Sequence, residues 1–184
     1  MILRANDVCV VIFNMQLELI PLLNEGTRIL NDCCWLADVT GTLGVQTMII
    51  EHKKLGASSR ALKEIAGKAP YFEKIYFDCT FEKHIASAIQ ESGCQQFVLA
   101  GAESHVCILQ SAAGLKAMGK DVFVLADTVS TRNTIDHERA MHRLATLGVH
   151  LITKEMFFFE CIRYSEYPDY VPIAMKYLDG RYIR

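Results

Sequence analysis

The sequence predicts an α/β fold, a three-layer α/β/α Rossmann-like domain with a mostly parallel sheet, and three observations point there. Short apolar runs recur that are too continuous for strands exposed on one face. Segments with helical spacing separate them, and glycine-bearing turns close several of those segments just before the next run. At 184 residues with 51% hydrophobic content, the chain can fill one core but is short for two. Residues 1–184 are therefore expected to form a single domain.

Taken in order, Val8–Phe13 is the longest apolar run and reads as a strand buried on both faces. Leu23, Ile29, Leu30, Leu36, Val39 and Leu43 then recur at helical spacing across 22–43. Apolar runs at 47–50, 97–100 and 122–126, with a weaker one at 150–153, supply further strands. Helices are expected at 81–91, where Ile85, Ala88 and Ile89 share a face, and at 106–118 and 136–147. Ser92-Gly93, Gly119-Lys120 and Gly148 close the last three helices. Strands alternating with helices imply right-handed crossovers, hence a parallel sheet covered on both sides. Beyond Glu155 the chain is rich in aromatics, among them Phe157, Phe158, Phe159, Tyr164 and Tyr177. Core packing and a subunit contact explain that surface about equally well, and a homo-oligomer is expected.

A formal charge of -2, with acids and bases mixed throughout, provides no basic stripe for nucleic acid and no polybasic membrane patch. No run approaches the roughly 18 apolar residues of a membrane span, and Val8–Phe13 is too short and weakly flanked for a signal peptide. The seven cysteines form an odd set without CxxC spacing, which favours a reducing cytoplasm over a disulfide framework or zinc finger. A small molecule is the expected partner, with no nucleic acid, no membrane and no cofactor.

In open parallel sheets, ligands bind beyond the carboxyl ends of the strands, near the point where strand order reverses. That rule selects Asn14 and Gln16, Glu51 and His52, the segment from Gly101 to Cys107, and Asp127 with Ser130. Lys74, between the second and third of the expected strands, can join them. The segment Gly101-Ala102-Glu103-Ser104-His105-Val106-Cys107 is the most informative. A tight turn from strand to helix aims successive backbone N–H groups at one spot, and a thiol there is pushed toward thiolate, further so by a nearby ammonium such as Lys74. Spacing alone fits equally a Cys107 that is a small buried hydrophobe like Cys9 or Cys94.

At these residues the chain resembles the isochorismatase-like cysteine hydrolase superfamily, in its compact single-domain branch. The likeness is carried by Val11-Ile12-Phe13-Asn14-Met15-Gln16, Glu73-Lys74-Ile75-Tyr76-Phe77, the Gly101 to Ile108 segment and Val124-Leu125-Ala126-Asp127-Thr128-Val129-Ser130. The resemblance implies that Cys107 is the nucleophile and Lys74 the lysine of an Asp-Lys-Cys triad, acting on a small amide, ester or related C–N bond. It also implies an oxyanion hole around a cis peptide joining Ala102 to Glu103, with the amides of Glu103 and Cys107 as donors. With Gln16 and His52 from the strand-end positions, Ala102 and Glu103 make up the expected substrate surface. Metal-using relatives carry an Asp-x-His pair that is not found here, so no catalytic metal is expected.

The third triad place departs from the family pattern, with Asn14 where an aspartate is usual. An amide cannot shuttle a proton, although it can hydrogen-bond Lys74 and preserve the geometry. Attack on a carbonyl is then expected to survive while steps that need a proton donor or activated water slow. The competing reading is a catalytically impaired relative that binds a metabolite or a protein partner. A redox role for Cys107 is a third reading, weakened by the lack of an obvious resolving cysteine. For His52 a solvated loop carries more weight than a pocket wall. For His105 the inward and outward orientations stand level. Asp127 reads best as a loop hydrogen-bonding residue, Asp136 and His137 as helix-start residues, and Cys79 as structural.

Overall fold

A computed structural model describes residues 1–178 of the chain. The first apolar run forms β1 (Val8–Phe13), with every residue buried. Its side chains alternate between two cores, as the two-residue period of a strand requires. Val8, Val10 and Ile12 enter one cluster, and Cys9, Val11 and Phe13 the other. The remaining elements are α1 (Gly26–Leu43), β2 (Gln46–His52), α2 (Arg60–Ala66), β3 (Tyr71–Lys74), α3 (Lys83–Glu91) and β4 (Gln96–Ala102). They continue as α4 (Leu109–Ala117), β5 (Asp121–Ser130), α5 (Thr134–Thr146), β6 (His150–Ile152), α6 (Lys154–Ile162) and α7 (Tyr170–Tyr177).

The six strands run in the order β3-β2-β1-β4-β5-β6, and all five pairings are parallel. Buried residues of α1, α2, α6 and α7 join the cluster around Val10 and Ile12. Those of α3, α4 and α5 join the cluster around Val11 and Phe13. Helices therefore cover both faces, giving the three-layer α/β/α architecture that the alternation of runs predicts. Strand order reverses between β1 and β4, so their carboxyl ends mark the expected ligand crevice.

The runs at 47–50, 97–100 and 122–126 each lengthen at both ends in the fold. Thr153 leaves the last strand and instead caps α6, its hydroxyl accepting from the Met156 N–H at 3.2 Å. The expected helix at 106–118 is split, because Ser104–Ile108 forms a π-helical turn before α4 begins. One strand is new. β3 sets two aromatic residues before two charged ones at the sheet edge, so no continuous apolar run announces it, and its pairing with β2 sets Lys74 opposite His52.

The segment after β3 is tied to α4. Asp78 and Thr80 sit where a Cβ on Gly114 would be, so the helix admits them only because that residue is glycine. The Cys79 N–H donates to Ser111 Oγ at 3.0 Å, and that hydroxyl donates to the Phe77 carbonyl at 3.3 Å. In the C-terminal region, Phe157, Phe158 and Tyr177 pack into the core, while Phe159 and Tyr164 remain exposed. Core packing thus accounts for part of the aromatic surface. No helix among the described residues is long and apolar enough to cross a membrane.

Gly101 lies at the carboxyl end of β4 with φ +101°, paired with Phe13 of β1. A Cβ there would overlap backbone atoms of Phe13, and the residue would also be strained by its positive φ. Gly101→Ala is expected to lower unfolding stability by at least about 3 kcal/mol. A urea midpoint unchanged from that of the parent chain would disprove this account of the β1–β4 junction.

Candidate active site

The reversal point of the sheet gathers side chains from three strand ends. β4 finishes at Ala102, the Ala102–Glu103 peptide is cis, and the π-helical turn carries Cys107 back over the strand end. Cys107 is 4% exposed at the entrance to α4. Phe72 and Lys74 share one side of β3 because they are two residues apart, and Phe72 packs on the cluster that contains Cys107. Lys74 reaches the same place: its Nζ lies 3.1 Å from Cys107 Sγ and 3.1 Å from the Tyr76 carbonyl oxygen. An ammonium this close to sulfur stabilises negative charge on it.

Asn14 follows β1 with φ +53° and is 2% exposed, its N–H bonded to the Ile50 carbonyl at 2.8 Å. It does not pair with Lys74 as the sequence suggested. Asn14 Nδ2 instead donates to the Ala102 carbonyl at 2.7 Å, while Oδ1 is buried with no hydrogen-bond partner. Cys107, Lys74 and Asn14 thus converge, but the asparagine anchors the Cys107 turn rather than the lysine.

Gln16 belongs to the frame rather than the surface of the site. It is fully buried, its Nε2 donates to the carbonyls of His52 and Gly56, and its Oε1 accepts from the His52 N–H at 2.7 Å. Both halves of the amide are spent holding the 52–56 loop, so substrate contact is not its geometric role. Ala102 is likewise fully buried, presenting its carbonyl to Asn14. His52 does line the cavity, stacked on Phe77 with ring centroids 5.9 Å apart and 27° between planes. Burial, followed by the charges of Lys74 and Lys54, holds the His52 pKa below its usual value, so the ring is neutral at pH 7.

Glu103 lines the mouth and forms a 2.8 Å ion pair with Arg132. Arg132 was missed in the sequence because it lies two residues beyond the end of β5, just past the positions that the strand-end rule selects. The cavity holds about 260 Å³ and is further walled by Lys54 and by apolar groups that include Leu19, Leu22, Leu55 and Val106. Leu19, Lys54 and Leu55 come from loops whose course no periodicity reveals.

The residues set aside find other work. His105 Nε2 lies 4.0 Å from an Asp136 carboxylate oxygen, and the ring is not part of the cavity wall. His137 Nδ1 and Ser104 Oγ are 3.1 Å apart, fastening the π-helical turn to α5. Asp127 accepts from the Lys154 N–H at the start of α6, and Asn133 caps α5. Among the described residues, no group of three His, Cys, Asp or Glu is placed to hold a metal ion.

All seven cysteines are free thiols. Burial pushes Cys9, Cys79 and Cys161 up to about 12 and raises Cys33, Cys34 and Cys94 as well. Among the described residues, none of those six has an ammonium bonded to its sulfur as Cys107 does, although Lys120 Nζ donates to the Cys94 carbonyl at 2.7 Å. Brief treatment of the folded chain with iodoacetamide at pH 7 is expected to label Cys107 alone, and Lys74→Met to slow that labelling about 10-fold or more. Peptide mass spectrometry with equal labelling of several cysteines, or a rate indifferent to Lys74, would contradict the ion-pair geometry.

Residues 8–156 match the sequence profile of a family described as the isochorismatase domain. A zebrafish (Danio rerio) isochorismatase domain-containing protein 1 is 30% identical over 133 residues, covering 71% of this chain and 47% of that protein. The chain thus spans about half the length of that curated relative. Among solved structures, MAR1 ribonuclease from Caenorhabditis elegans superposes with a TM-score of 0.88 at 23% identity, covering 100% of this chain and 98% of the other. The ycaC gene product of Escherichia coli, described as an octameric hydrolase of unknown specificity, gives 0.88 at 23% identity, with 96% and 91% coverage. At such identities the two superpositions establish the shared fold.

Proposed function

Because the chain belongs to the isochorismatase family, we propose that it is a cysteine hydrolase of small amides, esters or related C–N compounds, with Cys107 as nucleophile. The observation that carries this reading is the Lys74 ammonium 3.1 Å from the sulfur of Cys107, a residue that lines the cavity. Attack forms a bond from Sγ to the carbonyl carbon and moves the carbonyl π electrons onto oxygen. The amides of Glu103 and Cys107, beside the turn that ends β4, are the proposed donors to that oxyanion. Collapse re-forms the carbonyl and expels an amine or alkoxide, and Lys74 is the nearest group able to protonate it. The result is a thioester on Cys107.

Hydrolysis of that thioester needs a base to activate water. Asn14 occupies the place where the family carries a carboxylate, and an amide does not accept a proton at neutral pH. Acylation therefore outpaces deacylation, and the acyl-enzyme accumulates. A cavity of about 260 Å³ and a formal charge of -2 favour a small molecule over a nucleic acid. The octameric assembly of the bacterial neighbour supports a homo-oligomer for this chain as well.

One observation favours a second reading. The missing carboxylate leaves a complete pocket without its proton shuttle, as expected of a relative retained to bind a metabolite or partner. A panel of small amides and esters, assayed with the native chain, Cys107→Ala and Asn14→Asp, separates the two. Native turnover that disappears in Cys107→Ala, with a Cys107 adduct visible by intact mass and a steady-state rate raised about 10-fold or more by Asn14→Asp, is the hydrolase outcome. Turnover seen only after Asn14→Asp would assign the native chain to the binding class.

A further inference from the structure

Among the described residues, Asn14 Oδ1 is the one side-chain polar atom of the Cys107, Lys74 and Asn14 cluster left without a hydrogen-bond partner. The orientation of its amide is fixed, because a carbonyl such as that of Ala102 can only accept, so the NH2 end must face it at 2.7 Å. The oxygen end therefore faces the other way, buried and with no hydrogen-bond partner among the described residues. Its backbone is held by the bond from its N–H to Ile50, so the residue cannot swing off to find a donor. Asn14 also lines the cavity beside Cys107. A buried acceptor left unpaired is costly, and a ligand that supplies the missing donor recovers that cost.

We infer that Asn14 Oδ1 is a specificity-determining acceptor for an N–H group on the bound substrate, which makes the site selective for amides, ureas and similar compounds bearing N–H beside the carbonyl. This rests on the reading of Cys107 as nucleophile. An ester presents only lone pairs at the same place, and these oppose the lone pairs of Oδ1. Selectivity here comes from penalising the compound that leaves a polar protein group unpaired. Asn14 thus does a different job from the carboxylate it replaces, selecting the leaving group instead of moving its proton.

The test compares two near-isosteric alkylating probes, 2-chloro-N-methylacetamide and methyl chloroacetate, on the full chain. Each forms a bond from Cys107 Sγ to the CH2 carbon, breaks the C–Cl bond and releases chloride, so the probes differ in whether they carry N–H donors. Rates at Cys107 are measured by mass spectrometry and referenced to the same pair of rates on a free small-molecule thiol. The native chain is expected to favour the amide by about 5- to 100-fold over that reference. Asn14→Ala should return the ratio to the reference value, and Asn14→Asp, which keeps an acceptor oxygen, should retain the preference. A merely structural role would move both rates together and leave the ratio alone. Fast reaction of both probes with a referenced ratio near one, or a preference that survives Asn14→Ala, overturns the inference while leaving the nucleophile intact. A Cys107 slower than the free thiol toward both probes removes the nucleophile itself, and the inference with it. Should Asn14→Ala not fold, the native ratio and that of Asn14→Asp still decide the matter.

Discussion

A lysine ammonium that is only 1% exposed would be costly to bury alone, and the surrounding fold is arranged so that it is not alone. The Tyr76 carbonyl takes one N–H and the Cys107 sulfur another. For both contacts to exist, β3 must pair with β2 in a register that leaves Lys74 on the Cys107 side of the sheet. The 74–79 segment must also lie close against α4, which the absent side chain of Gly114 permits. Strand register, helix packing and the position of one sulfur are therefore a single linked constraint.

The neighbouring charges are arranged so that the cluster is not overrun. Glu103 and Arg132 neutralise one another at the mouth, and burial with two nearby lysines keeps the His52 ring neutral. Asn14 adds no charge of its own, so Lys74 faces the sulfur with no carboxylate competing for it from that position. The asparagine instead secures the turn that bears the thiol, through Ala102.

Much of the architecture was legible because buried strands and amphipathic helices impose the 2.0 and 3.6 periodicities on sequence. The first apolar run matches the limits of β1, and the strand-end rule alone points to Asn14, His52 and Cys107, all of which line the cavity. β3 was invisible because an edge strand ending in Glu73 and Lys74 lacks the apolar run that marks its buried neighbours. Arg132, Leu19 and Leu55 reach the cavity from loops, where direction depends on tertiary contacts and not on local pattern. Gln16 was selected by position alone, and its commitment to the 52–56 loop depends on hydrogen bonds that no spacing encodes.

The lysine of this pair is carried by a short support, a four-residue strand bonded along one side only. Peripheral strands fray at lower free energy than central ones, in openings that leave the rest of the molecule assembled. The sulfur, by contrast, begins a helix seated over a fully buried central strand. The two partners thus belong to regions of unequal cooperativity. Mild heat or denaturant should part them while circular dichroism still reports a native secondary structure, so inactivation precedes melting.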